Sequence, residues 1–300
     1  MFKKNNRIVC PNKSLKFEIS ELNPLKWLID PDFNSNFMVF EVDGYIIEKN
    51  KKPNGIFSRL ELESKNIDDI DLNFLCDFLI KNYFDKIYYN VLFSDFLNIS
   101  HWLIITVNNY PLGYKHEDKG IISINFKIDN NDKLLINTIK QLNVFEMEKG
   151  IKLLRKFSFD KVKPLSSSPS HLSCHLNNNT LNPFPGDIDA VIFDKKNKTF
   201  RSFIEFKTHN INSPTENESI DKYGDQDWRR FEVLFDLQEY IRKEKKIECN
   251  LFYIAWGTKD FENHKNIKID RITRKKIINT KIIERPEFGV FSKLLLESLI

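Results

Sequence analysis

The chain has 300 residues, 46 Lys plus Arg against 42 Asp plus Glu, and a formal net charge of +4. An apolar fraction of 41% is close to the globular norm and excludes a disordered chain. Near-balanced charge excludes a polycation or an acidic solvating tail, but a basic patch is local, so nucleic-acid binding stays open.

The composition carries a bias. Phe reaches 26 while Gly is 9, and Ala occurs only at Ala190 and Ala255. An AT-rich coding sequence produces this without selection on the protein, so each Lys-rich run counts for less. Cys10, Cys76, Cys174 and Cys249 are far apart and show no paired spacing. They read as reduced, mostly buried thiols and not as a zinc site or a disulfide framework. Met1 to Cys10 is basic and leads into Pro11-Asn12-Lys13, which is no signal peptide pattern. No stretch approaches 18 apolar residues. The expectation is a cytoplasmic protein with no membrane partner.

Taken in chain order, Phe37 to Glu48 and Ile56 to Glu63 read as strands, with Pro53-Asn54-Gly55 as a turn. Leu72 to Tyr83 has helical spacing, with Leu72, Leu75, Phe78, Leu79 and Tyr83 on one face. Ile87 to Leu92, His101 to Val107 and Ile121 to Ile128 read as strands. Lys133 to Phe157 reads as helical over most of its length. Pro164 to Thr180 reads as a polar loop. Asp187 to Phe193 and Phe200 to Lys207 read as a hairpin, Gln226 to Lys243 as an amphipathic helix, and Ile247 to Trp256 as a further strand. A basic segment and a helix over 288–299 close the chain. The expected division is a mixed α+β domain over 1–130 and a second domain over 131–300.

The chemistry concentrates in Gly186-Asp187-Ile188-Asp189 and Glu205-Phe206-Lys207-Thr208-His209. Alternate side chains of a strand share a face. Asp187 and Asp189 therefore share one face, and Glu205 and Lys207 share one face of the next strand. Paired strands would bring carboxylates and one ammonium to a common edge. Two carboxylates and a backbone carbonyl suit Mg²⁺, and the chemistry that uses such a set is phosphodiester hydrolysis.

On these residues the sequence resembles the PD-(D/E)xK nuclease superfamily, which includes restriction-endonuclease-like and RecB-like enzymes. The resemblance covers roughly residues 140–256. It implies a restriction-endonuclease-like mixed α/β sheet flanked by helices. It also implies Mg²⁺ or Mn²⁺ held by Asp189, Glu205 and the Phe206 carbonyl, with Lys207 as the catalytic lysine. Asp187 is the alternative first acid, or supports the site from behind. The substrate implied is nucleic acid, DNA before RNA. The first 130 residues would recognise target or partner, and a second copy of the chain is a further candidate partner. The alternative reading is a catalytically inactive nucleic-acid-binding or assembly module with the same fold.

Supporting residues follow from the same resemblance. Gln238 falls on the apolar stripe of the helix over 226–243, where RecB-like enzymes carry a glutamine facing the site. Arg229 and Arg230 are placed to grip phosphates, and His209 to contact substrate. Glu146 and Glu148 are candidates for a further upstream acid. His171 and His175 are four apart, and one of them could touch the metal. The basic runs over 195–201, 242–246 and 271–276 could track a phosphate backbone.

A second stretch repeats the order of elements. Asp43-Gly44-Tyr45 precedes Leu60-Glu61-Leu62-Glu63-Ser64-Lys65, then a helix and a strand. It lacks the acid pair and reads as a polar edge strand, with a degenerate second nuclease-like fold as the bolder alternative.

Overall fold

A computed structural model describes residues 2–3, 7–14, 22–30, 36–220, 225–274 and 276–300, without the side chains of 225–230. The chain forms two compact units. Unit 1 comprises Met1–Glu18 and Val42–Asp187, and unit 2 comprises Ile19–Glu41 and Ile188–Ile300. Both are mixed α/β. Residues 131–187, expected in the second domain, lie with unit 1, and 19–41 lie with unit 2.

The elements begin with β1 (Ile8–Val9), β2 (Phe37–Ile47), β3 (Pro53–Glu61), α1 (Leu72–Asn82) and α2 (Phe84–Leu97). They continue with β4 (His101–Thr106), β5 (Ile121–Ile128), β6 (Leu134–Leu142), α3 (Val144–Arg155), β7 (Ser167–Ser168) and α4 (His171–Asn179). Within unit 1, β2 and β3 pair antiparallel, β3 and β4 parallel, and β4, β5 and β6 antiparallel in turn. The parallel step needs a crossover, and α1 and α2 supply it. Asp71 caps α1 by accepting from the amides of Asn73 and Phe74, which satisfies two of the donors a helix start leaves open.

Three expectations fail here. Ile87 to Leu92 is helical because Ile87, Val91 and Ser94 with Asn90 and Leu97 are buried at three- and four-residue spacing, and tertiary burial outweighs β-branched and aromatic propensity. The helix expected from Lys133 starts only at Val144. Residues 134–142 pair with β5 instead, and a capping box of Asn143 and Glu146 sets the helix start. The loop expected over 164–180 contains α4, capped by Ser170.

β1 pairs with β7, and beside them Cys10 and Cys174 form a disulfide. That corrects the expectation of four reduced thiols: 164 residues separate the pair, so sequence spacing could not suggest it. Cys76 and Cys249 are free and buried.

Unit 2 contains β8 (Gly186–Asp194), β9 (Thr199–His209), α5 (Asp225–Tyr240), β10 (Asn250–Gly257), β11 (Asn266–Ile272), β12 (Ile277–Glu284) and α6 (Lys293–Glu297). β8 and β9 are antiparallel, β9 and β10 parallel, and β10, β11 and β12 antiparallel in turn. One sheet face carries Ala190, Ile192, Ile204, Phe252, Ile254, Trp256, Ile267 and Ile269, packed on Trp27, Leu28, Leu295 and Leu299. The residues between them along each strand, including Glu205, Tyr253 and Asp270, belong to the opposite face. Phe231 of α5 meets the Tyr253 ring at 5.7 Å on that face. The segment read only as basic supplies β11 and β12. β12 buries only Ile283, so its sequence shows no apolar alternation. Among the described residues, no helix is long and apolar enough to cross a membrane.

Candidate functional site

The β8–β9 ladder ends at the pair Ala190–Ile204. Continued by one residue, that register sets Asp189 against Glu205. Backbone pairing stops there, and the Asp189 carboxylate takes over as acceptor: its Oδ2 lies 2.8 Å from the Phe206 amide. Asp189 and Lys207 are half-buried. Glu205 is buried at 3% exposure and stands beside Tyr253 of β10. Asp187, two residues before Asp189 on β8, is half-buried and belongs to unit 1.

Two carboxylates on neighbouring strands and a backbone carbonyl make a hard oxygen set of the kind Mg²⁺ accepts, with water completing the shell. Among the described residues, no group of three or more His, Cys, Asp or Glu side chains is placed to hold a metal ion.

Polar residues that sequence reasoning passed over share the face of Glu205. Tyr253 pairs with Asp270, and Asp270 with Thr280, so one row crosses four strands. Asp270 is fully buried. It accepts from Thr280 Oγ1 at 2.6 Å and pairs with the Lys268 ammonium at 3.2 Å. Lys268 also donates to the Glu218 carbonyl at 2.7 Å, and across β10 its row contains Ala255 and Lys207. Buried charge costs stability unless it is paired, and here Lys268 and Thr280 pair Asp270. The available signal was the alternation Lys268-Ile269-Asp270, which directly precedes the basic run over 271–276.

Other expected site residues have structural partners. Gln238 donates from Nε2 to the Cys249 carbonyl at 2.8 Å. Cys249 immediately precedes β10, whereas Ala255 is the residue that pairs with Lys207. Six residues of strand at about 3.3 Å each put Gln238 at the far end from the site. His209 is neither exposed nor open to substrate. It is 3% exposed, with Nδ1 2.8 Å from Glu218 Oε2 and Nε2 2.9 Å from Ser213 Oγ. It fastens the loop after β9. The side chains of Arg229 and Arg230 lie outside the described residues, as do Lys222 and Tyr223. On the same helix, Glu232, Asp236 and Glu239 are held by Arg274.

Glu146 belongs to the α3 capping box, and Glu148 accepts from Asn182 at 2.9 Å. His171 and His175 lie one turn apart on α4, a helix and not a loop. Burial lowers the basicity of both. Of the basic runs, Arg201 is tied to Asp194 at 2.8 Å and Arg274 to the three acids of α5.

No family model matches the chain, and no curated protein matches it. Among solved structures, the crystal structure of the sex pheromone staph-cAM373 precursor aligns at 10% identity over 89% of this chain and 84% of its own, with a TM-score of 0.20. A likeness of that size carries no argument about fold or function.

Proposed function

We propose that the chain is a divalent-cation-dependent phosphodiesterase acting on nucleic acid, with its reaction centre at Asp189, Glu205 and Lys207. One observation supports this most. Where the β8–β9 ladder ends, the Asp189 carboxylate reaches the Phe206 amide, in the register that sets Asp189 against the buried Glu205, with Lys207 two residues on. A charged side chain inside an apolar strand costs stability that folding alone does not require.

Asp189, Glu205 and the Phe206 carbonyl would hold Mg²⁺ or Mn²⁺. Such an ion neutralises phosphate charge and lowers the pKa of bound water. Lys207 contributes a fixed positive charge on the same strand face as Glu205, where it orients the attacking water and offsets charge developing on the phosphate. DNA stands before RNA on the resemblance to the PD-(D/E)xK enzymes alone.

A second reading is nucleic-acid binding without cleavage. A cleavage assay separates the two. Wild type, Asp189→Ala and Lys207→Ala are incubated with single- and double-stranded DNA and RNA, with Mg²⁺ or with EDTA. Cation-dependent products from wild type, absent from both folded variants, are expected. Intact substrate in every form, with binding that weakens as salt rises, would move the assignment to the second reading.

A further inference from the structure

We infer that the chain carries one fold unit twice, and that only unit 2 is built to take a divalent cation; in unit 1 the Lys86 ammonium does a cation's work at Asp43. The second half of this inference rests on the cation reading of unit 2 given above. The first half rests on strand registers alone.

The order of strands is the same in both units. β2, β3, β4, β5 and β6 follow each other as β8, β9, β10, β11 and β12 do, with a single parallel step between the second and third strand in each ladder. Helices make the crossover at that step in both.

The agreement extends to single residues. The β2–β3 ladder ends at Gly44–Phe57. One residue out, the Asp43 Oδ2 accepts from the Arg59 amide at 2.8 Å. The β8–β9 ladder ends at Ala190–Ile204, and Asp189 Oδ2 accepts from the Phe206 amide at 2.8 Å. Asp43 thus corresponds to Asp189, Ser58 to Glu205, Arg59 to Phe206 and Leu60 to Lys207. On that correspondence the register breaks coincide too. β2 shifts between Ile46 and Ile47, and β8 between Ile192 and Phe193, three steps beyond the aspartate in each case. β5 shifts between Asn125 and Phe126, and β11 between Arg271 and Ile272. Carried through the parallel pairs Ser58–Leu103 and Glu205–Tyr253 and the antiparallel pairs Leu103–Ile124 and Tyr253–Asp270, those two breaks are the same break. Bulges are specific features of a sheet, and two of them at matching places are not expected of unrelated ladders.

The charges differ. Unit 1 has Ser58 and Leu60 where unit 2 has Glu205 and Lys207. Glu63-Ser64-Lys65, which imitates the motif in the sequence, lies beyond the end of β3. The carboxylate that remains is neutralised from within. Lys86 Nζ of α2 lies 2.9 Å from Asp43 Oδ2 and the Arg59 guanidinium 3.9 Å from Oδ1. Burial alone would raise the Asp43 pKa, but these two cations and their hydrogen bonds outweigh it and hold the carboxyl below its ordinary value. A small pocket is lined by Asp43, Arg59, Thr106 and Ser170, and the cations beside Asp43 already balance its charge.

The test is a Mn²⁺ titration of the full chain by calorimetry and electron paramagnetic resonance. Wild type and Asp43→Asn are each expected to bind one equivalent, and Asp189→Asn none. Two equivalents in wild type, or loss of binding in Asp43→Asn, overturns the inference and leaves the cation reading of unit 2 standing. No bound Mn²⁺ in wild type overturns both. A gain of function checks the correspondence itself. In the Asp189→Asn background, Ser58→Glu, Arg59→Phe and Lys86→Ala together are expected to restore one equivalent, lost again on adding Asp43→Asn. No uptake by a variant with the circular dichroism of wild type overturns the correspondence. The isosteric Asp→Asn pair decides the loss arm whether or not the gain variant folds.

Discussion

Asp43 and Asp189 each stand one residue past the last backbone pair of a hairpin, and each accepts from an amide of the partner strand. There the strands part, and a short side-chain carboxylate replaces the missing carbonyl. An amide left buried without an acceptor would cost about 1–3 kcal/mol. The backbone therefore asks for this aspartate whether or not the unit does chemistry. What distinguishes the units is what surrounds the carboxylate. In unit 1 two cations of the chain neutralise it. In unit 2 the facing residue is a second acid, Glu205, and the next residue on its face is Lys207. The aspartate alone is thus weak evidence for catalysis, and Glu205 with Lys207 is the stronger part of the signal.

The contrast breaks most visibly in cleavage. Asparagine keeps the oxygen that accepts from the amide and removes the charge. Asp189→Asn is expected to lower the metal-dependent cleavage rate by about 10²-fold or more, and Asp43→Asn to leave it within about twofold. Single-turnover assays on the preferred substrate measure both. Equal losses would show that the two carboxylates serve one reaction.

Stability should divide the other way. Removing one partner of a buried ion pair leaves an uncompensated charge and costs about 3 kcal/mol. Lys86→Met is expected to cost about that much, because it leaves Asp43, at 12% side-chain exposure, with Arg59 alone. Lys207→Met is expected to cost under about 1 kcal/mol, since a half-buried lysine keeps much of its hydration. Urea titrations at pH 7 compare the two. The double variant Asp43→Asn with Lys86→Met should recover part of the loss.

Acid should weaken unit 1 through its own histidine. His101 is fully buried, with Nε2 2.9 Å from Ser58 Oγ, and burial pushes its pKa down to about 3. The folded protein keeps it neutral while the unfolded chain binds a proton below its ordinary value of about 6.5. Its contribution is complete above pH 6.5 and is lost as pH falls toward about 3, at about 1.4 kcal/mol per pH unit. Asp43 adds to the loss only near the bottom of that window, because its carboxyl is held below its ordinary value. Urea midpoints from pH 7 to 4 should show the slope, and His101→Gln should flatten it.

Much of unit 2 was legible in the sequence because its signals are local. The strands around Asp189 and Glu205 are short apolar runs with their charges in alternation, and α5 shows its buried stripe in Phe231, Leu234 and Phe235. What stayed hidden depends on partners remote in sequence. Cys10 finds Cys174 only in the fold, and Asp270 becomes a buried residue only once β10 and β12 flank it. The correspondence of Ser58 with Glu205 was concealed by Glu63-Ser64-Lys65, a better match by letter in the wrong register. Only the hydrogen bond at Asp43 fixes which residues are equivalent.

Gln238 is where position along a strand decides between two roles. A glutamine on the inner stripe of α5 could serve substrate or could serve the backbone. The direction of the crossover settles where it sits: α5 runs from the end of β9 back to the start of β10, so its last turns lie at the start of β10. There Gln238 donates to the Cys249 carbonyl, an acceptor that precedes the β9–β10 ladder, whose first pair is Asn250–Ser202. Gln238→Ala is expected to lower stability by about 1 kcal/mol, the net worth of one hydrogen bond, and to leave the single-turnover cleavage rate unchanged. Gln238→Glu should lose the donor and keep the volume, so its urea midpoint should follow that of Gln238→Ala. A cleavage defect in Gln238→Ala without a shift in the midpoint would instead bring α5 into the reaction and move the site toward the start of β10.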